Sequence, residues 1–197
     1  MSQPVNLLTE RESRRELLLA AADLVVQRDG ASASMVAIAA EAGITKPILY
    51  RHFGDKSGLY AALADRHTER LLHALLAALS AGRSPRDRVH RTVDAYLQVL
   101  EQEPQVYRFL VQSVEAAPVH GQVRGFVRQL QDQLARGICQ ELELSAGDVR
   151  AAVWAAGIVG MVQAAGDWWL ERGELSRADL TDSLTDLLWG AYGATAG

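Results

Sequence analysis

Between Ser34 and Lys56 the chain gathers side chains suited to gripping a polyanion. Thr45, Lys46, Pro47, Tyr50 and Arg51 fall within one short segment, and His52 and Lys56 follow closely. A lysine can contact a phosphate or a guanine edge, and a threonine hydroxyl can donate to phosphate. A tyrosine can bond phosphate and pack on sugar, and a proline offers rigid apolar surface to a thymine methyl. Spacing turns these types into a candidate DNA reader. Thr45 is an N-cap residue type with Pro47 in the first turn, so the group stands at the N-terminal end of a short helix. That is the end a helix-turn-helix presents to base edges in the major groove. Ser34 is a second N-cap type that could also touch phosphate, although capping is its simpler role. Lys56 falls in the first turn of the following helix, where its charge opposes the helix dipole and a nearby phosphate would account for it. Arg51 is equally consistent with a solvated surface residue, and His52 with packing beneath Phe53.

These side chains need a scaffold, and the pattern supplies one. Ser34 to Ala42 reads as a helix with Met35, Ile38 and Ala39 facing inward. Gly43-Ile44-Thr45 makes the tight turn of a helix-turn-helix, with Gly43 able to take a left-handed backbone and Ala39 small enough for close contact. Gly54 breaks the short helix, and Asp55 caps a long one with Leu59, Leu63, His67, Leu71 and Leu75 on one face. Ahead of this motif, Thr9-x-x-Glu12 resembles a capping box for a helix that ends at Gly30, with Leu17, Leu18, Ala21, Leu24 and Val25 as its stripe. Proline and glycine punctuate the rest into helices spanning about 85–102, 104–117 and 120–142. Ser145-x-x-Asp148 is expected to open an apolar helix that Gly173 ends, and Ser176-x-x-Asp179 a last one reaching Tyr192. Only Met1–Leu8 and Ala194–Gly197 look loosely held. No stretch alternates at the period of a strand. The expectation is an all-α chain of nine helices: a three-helix head over 1–56 and a bundle of about six over 57–197.

Composition narrows the function. The hydrophobic share of 49% supports a packed core, and one cysteine, Cys139, allows no intrachain disulfide, as in a cytoplasmic protein. A net charge of −4 argues against coating nucleic acid nonspecifically. The head itself is neutral, with seven Lys/Arg and seven Asp/Glu in residues 1–56. No leader-like segment opens the chain. The apolar run Ala151–Ala165 is shorter than the roughly 20 residues of a membrane span and is expected to be a buried helix. Enzyme chemistry has little footing. The histidines are dispersed, His67 and His73 do not share a helix face, and no metal-ligand cluster, phosphate loop or nucleophile elbow is present. Neither metal nor cofactor is expected.

The string Gly43-Ile44-Thr45-Lys46-Pro47-Ile48-Leu49-Tyr50-Arg51-His52-Phe53-Gly54-Asp55-Lys56, with Ile38-Ala39-Ala40-Glu41-Ala42 before it, resembles the signature of the TetR (TetR/AcrR) family. So do the first helix ending at Gly30 and the long helix opening Lys56-Ser57-Gly58-Leu59. The resemblance runs from residue 11 to about 63. Pro47 departs from the glycine or smaller residue the family often has there, a change expected to alter base preference rather than fold. The resemblance implies an all-helical homodimer that binds double-stranded operator DNA. Its last two long helices would form a four-helix interface, and its middle helices would enclose a small-molecule effector that releases DNA.

In the body, Gly157, Gly160 and Ala164 form a small-residue seam that would let another helix approach closely. With Trp168, Leu184 and Leu188 they are candidate dimer-interface residues, although tight packing inside one subunit would use the same seam. Tyr96, Leu100, Tyr107, Phe109, Phe126, Leu130, Trp154, Ile158, Met161 and Gln163 are candidates for an effector pocket, mostly apolar with a few polar heads. An aromatic or aliphatic stripe at helical spacing is more often plain core, and each of them fits that role as well. The leading expectation is therefore a repressor released from a palindromic operator by an apolar or amphipathic effector. The alternatives are a helical small-molecule sensor whose head reads no DNA, and an enzyme with an unrecognised helical site.

Overall fold

A computed structural model of the chain describes residues 4–112 and 117–195. Among them are nine helices and no strand: α1 (Pro4–Asp29), α2 (Met35–Glu41), α3 (Lys46–Phe53), α4 (Lys56–Ala81), α5 (Pro85–Gln102), α6 (Pro104–Gln112), α7 (Ala117–Glu141), α8 (Val149–Arg172) and α9 (Arg177–Thr195). A 3₁₀ turn, Gly30–Ser32, follows α1. Proline opens α5 and α6, where its missing N–H leaves no intrahelical bond unmade. Residues 113–116, within the sixth helix expected over about 104–117, lie outside the described ones.

Three local expectations need correction. α1 begins at Pro4 and runs through Thr9, so Thr9-x-x-Glu12 is helix interior and not a cap. Its buried face is Leu18, Leu19, Ala22, Val25 and Val26, whereas Leu17 and Leu24 point outward at 71% and 55% exposure. The apolar runs Leu17-Leu18-Leu19 and Leu24-Val25-Val26 fit two neighbouring phases, and packing selects one. α8 is capped by Asp148, whose carboxylate accepts from the Arg150 N–H, so Ser145 is not its N-cap. The same spelling does cap α9: Ser176 Oγ accepts from the Asp179 N–H at 3.1 Å.

The chain divides into two compact units, Met1–His67 with Glu103–Val123, and Thr68–Gln102 with Arg124–Gly197. The expected division after residue 56 differs from this, because the unit holding the head continues to His67 within α4 and includes α6. In this first unit Val25, Ile38, Leu49, Leu59, Leu63 and Phe109 are almost fully buried. The Phe109 ring meets Tyr60 edge-on, with centroids 4.7 Å apart. Polar groups close the same core. Tyr60 Oη donates to the Ala33 carbonyl at 2.6 Å, and His67 Nε2 lies 2.6 Å from Asp23 Oδ1. Arg66 bridges Asp23 and Glu16, tying α4 to α1.

In the second unit α5 packs along α9. Arg86–Asp186, His90–Asp182 and Asp94–Arg177 pair across these helices, and Arg177 also reaches Glu101. The hydrogen bond that Arg177 donates to Asp94 raises the Arg177 pKa above its ordinary value. α8 meets α5 at Gly166, where a Cβ would stand 2.8 Å from Leu100 Cδ2.

Tyr60 is the link between α4 and the strand of chain leading into α2. Tyr60→Phe keeps the ring but leaves the buried Ala33 carbonyl without its donor. It is expected to destabilise the protein by about 1–2 kcal/mol in denaturant unfolding, with the slope of the transition unchanged.

Candidate nucleic-acid interface

The turn between α2 and α3 is built by backbone hydrogen bonds. Ser34 caps α2, its hydroxyl accepting from the Ala37 N–H at 3.1 Å. At the other end the Gly43 N–H donates to Ala40 O and the Ile44 N–H to Ala39 O, with Gly43 at φ +63°. That left-handed conformation favours glycine. Ile44 packs against the buried cluster, pinning the turn from beneath. Thr45 takes the extended N-cap conformation of α3, but its side chain makes no capping bond, which leaves the hydroxyl available.

α3 has two faces. Leu49 and Phe53 enter the core. Thr45, Lys46, Pro47 and Arg51 are exposed, while Tyr50 and His52 are half-buried. Lys46 Nζ sits 5.6 Å from the centre of the Tyr50 ring, and Lys56 Nζ 5.0 Å from that of Tyr60. The expected contact residues Ser34, Thr45, Lys46, Pro47, Tyr50, Arg51, His52 and Lys56 thus all lie on or beside the helix-turn-helix, with only the last beyond α3.

The junction after α3 is tighter than its sequence suggests. Gly54 has φ +78°, and Asp55 Oδ1 accepts from the Gly58 N–H at 2.7 Å. A Cβ on Gly58 would stand 2.1 Å from the Phe53 carbonyl oxygen, so no larger residue fits without moving backbone. α4 therefore starts directly against the end of α3, and the position of Lys56 is set by the helix that carries Tyr50 and Arg51.

Charge in the neutral head is sorted by partner. Arg28 pairs with Asp29 and Glu41, and Arg66 with Glu16 and Asp23. The Arg28 bond holds the Asp29 carboxyl below its usual range. Asp55 serves the α4 cap. Among the described residues no ion pair is formed by Arg14, Arg15, Lys46, Arg51 or Lys56, which are all exposed. The acidic groups are thus partly neutralised internally, and cations remain for an external polyanion. Sequence reasoning did not single out Arg15, Gly58 or Tyr60. Only Gly58 carried a signal, as part of the Lys56-Ser57-Gly58-Leu59 string.

The body candidates are distributed differently from expectation. Tyr107 and Phe109 belong to the first unit and the other eight effector candidates to the second. Phe109 is buried edge-on against Tyr60, in the core of the head unit. Leu100 is also buried, at the close approach of α5 to Gly166. Tyr96, Phe126, Leu130, Trp154, Ile158, Met161 and Gln163 are half-buried. Gly157, Gly160 and Ala164 are exposed, and nothing lies within 4 Å of a Cβ added at either glycine. Trp168 is 41% exposed and Leu188 half-buried. Leu184 departs from the interface expectation: at 5% exposure it belongs to the inner face of α9. The expectation of a buried α8 also fails within one chain. That helix is long and apolar enough to cross a membrane by length and composition, yet only 17% of its most apolar window is buried.

A capped helix, a glycine turn and a second helix whose exposed cations form no ion pair among the described residues define a helix-turn-helix DNA-binding protein. Comparison with known proteins gives the particular family. Residues 17–63 match the model for bacterial regulatory proteins of the tetR family, and residues 74–197 match that for the tetracyclin repressor-like C-terminal domain. The HTH-type transcriptional activator FasR of Mycolicibacterium smegmatis is 30% identical over 188 residues, 94% of this chain and 85% of that protein. An HTH-type transcriptional regulator of Mycobacterium tuberculosis is 34% identical over 184 residues, 91% of this chain and 77% of its own. The crystal structure of a TetR-like transcriptional regulator from Rhodococcus superposes with a TM-score of 0.67 at 30% identity, covering 91% of this chain and 96% of that one. A tetR-family regulator from Streptomyces coelicolor has the same fold, with a TM-score of 0.76 at 21% identity over 94% of this chain and 82% of that one. The chain belongs to the TetR family and is a DNA-binding transcriptional regulator.

Gly58 supplies a test of how the interface is held. Gly58→Ala forces the α3–α4 junction apart and is expected to destabilise the protein by about 1–3 kcal/mol. Unchanged thermal stability in this variant would show that the junction has slack.

Proposed function

We propose that the protein is a homodimeric, ligand-responsive repressor whose α3 reads a palindromic operator. The observation that carries this reading is the exposed set Thr45, Lys46, Pro47 and Arg51 with half-buried Tyr50 at and along α3, and Lys56 just beyond it, its cations without acidic partners among the described residues. Lys46 and Thr45 face base edges and phosphate at the N-terminal end. Ser34 and Lys56 contact backbone on either side, and His52 lines the rim. Two copies place two recognition helices on one DNA face, with half-sites about 34–36 Å apart or a multiple of that.

The exposed side of α8 supports the dimer. Val153, at 63% exposure, Gly157, Gly160, Ala164 and Trp168 leave a large apolar surface uncovered on the most apolar helix of the described residues. A second copy of α8, with the exposed Leu187 and half-buried Leu188 of α9, would bury it. Half-buried Tyr96, Phe126, Leu130, Trp154, Ile158, Met161 and Gln163 support an apolar or amphipathic effector bound in the second unit. Binding there would alter the head separation and release DNA. These parts describe an intracellular regulator.

A second reading concerns sign. The mycobacterial relative is named an activator. A dimer that overlaps the polymerase site represses, and the same dimer bound upstream can activate, so operator position decides between them. Transcription in vitro from the chain's own upstream DNA tests this: reduced transcript supports repression, and increased transcript overturns it.

Lys46→Ala is a cleaner probe of α3 than a change at Tyr50, which also packs against the core. It is expected to weaken operator binding roughly tenfold and to reduce the salt slope by about 0.9, with the fold intact by circular dichroism. Unaltered affinity would remove α3 from the contact surface.

Gly157→Leu tests the dimer. A leucine on an exposed mid-helix glycine should stabilise an isolated helix by about 1 kcal/mol. At a close helix–helix interface it must separate the partners. Sedimentation is expected to show wild-type dimer and a largely monomeric variant. A dimeric, more stable variant would place the interface elsewhere.

A further inference from the structure

Among the described residues, Arg15 is the one exposed cation of the head that packs on the candidate recognition helix without belonging to the helix-turn-helix. It lies on α1, thirty-eight positions before Phe53 in the sequence, yet its guanidinium carbon sits 5.3 Å from the centre of the Phe53 ring. Phe53 is the last residue of α3, and its carbonyl is the group against which Gly58 closes. The side chain is exposed and forms no ion pair among the described residues, whereas Glu16 beside it is taken by Arg66. A guanidinium lying over an aromatic ring keeps its in-plane N–H donors free while the ring limits its rotamers. Ordering without neutralisation suits a group that must meet a phosphate. Packing alone could use an uncharged chain, and a surface ion pair would use Glu16. Lys46 over Tyr50 and Lys56 over Tyr60 repeat the arrangement on α3 and at the start of α4.

We propose that Arg15, seated on the Phe53 ring at the C-terminal end of α3, is a further phosphate contact of the DNA-binding surface. It extends the contacted backbone from the helix-turn-helix onto α1 and holds the exit end of the recognition helix to the duplex. Fork-shaped donors allow a bidentate bond to one phosphate, and the contact carries no base preference. The inference rests on the reading of α3 as the DNA-contacting helix.

The test uses full-length protein and duplexes that the wild type selects from a random-sequence library, with unrelated duplexes of equal length. Arg15→Gln is expected to weaken both selected and unrelated duplexes by a similar factor, roughly tenfold. It should also reduce the slope of log affinity against log salt by about 0.9. Arg15→Lys should keep the slope, because charge is retained, and bind between the two, because the planar seat is lost. A role confined to packing on Phe53 would instead lower the melting temperature of both variants and leave the salt slope of Arg15→Gln at the wild-type value. That result overturns the proposal. If Arg15→Gln is wild-type while Lys46→Ala is impaired, Arg15 alone is excluded. If Lys46→Ala is wild-type too, the reading of α3 fails and the proposal with it.

Discussion

The close approach of Gly58 to the Phe53 carbonyl governs the head. Because no Cβ fits between them, α4 must begin where α3 ends, and the direction of one helix dictates that of the other. Three features depend on this junction. Tyr60, less than one turn further along α4, is placed to bond the Ala33 carbonyl and so fix the chain entering α2. Lys56 is held beside α3. Phe53 keeps one ring face for Arg15 while remaining largely buried. A recognition helix of only Lys46–Phe53 has little stability of its own, since short helices are marginal in water. Its geometry is borrowed from Leu49 and Phe53 in the core and from the two turns that bracket it.

Electrostatic sorting complements this rigidity. Equal numbers of acidic and basic residues need not give a neutral surface. Arg28 and Arg66 each engage two carboxylates, and Asp55 is spent on a helix cap. Among the described residues Arg14, Arg15, Lys46, Arg51 and Lys56 are presented outward, three of them over aromatic rings. A sequence-specific DNA binder gains from this pattern. Orientation is set before the encounter, so less side-chain entropy is lost on contact, and the modest net charge limits binding to arbitrary sequence.

In the second unit, polar pairs and apolar surface divide the work between helices. Arg86, His90 and Arg177 register α5 against α9 through Asp186, Asp182 and Asp94, with Leu180 and Leu184 buried beneath. α8 approaches α5 at Gly166 but exposes Val149, Val153 and Trp168. An interior built this way leaves its most apolar helix unsatisfied in one chain. Association of copies is the economical remedy in a family of DNA-binding regulators.

By itself the sequence determined the helix count, the helix-turn-helix and its turn, and the residue types offered to DNA. These follow from short-range rules: glycine at a left-handed turn, serine at an N-cap, proline at a first turn. It could not choose between readings that satisfy those rules equally. Ser145-x-x-Asp148 and Ser176-x-x-Asp179 are spelled alike, yet Asp148 caps α8 itself and Ser176 caps α9. Leu17 and Leu18 were interchangeable until packing turned one inward. Phe109 and Leu184 proved to be buried within the one chain, which the sequence could not foresee because burial against a partner chain, a ligand or the same chain demands the same apolar side chain. Arg15 carried no local signal at all, since its partner ring is distant in sequence. Those choices depend on contacts between remote segments, and only the tertiary structure decides them.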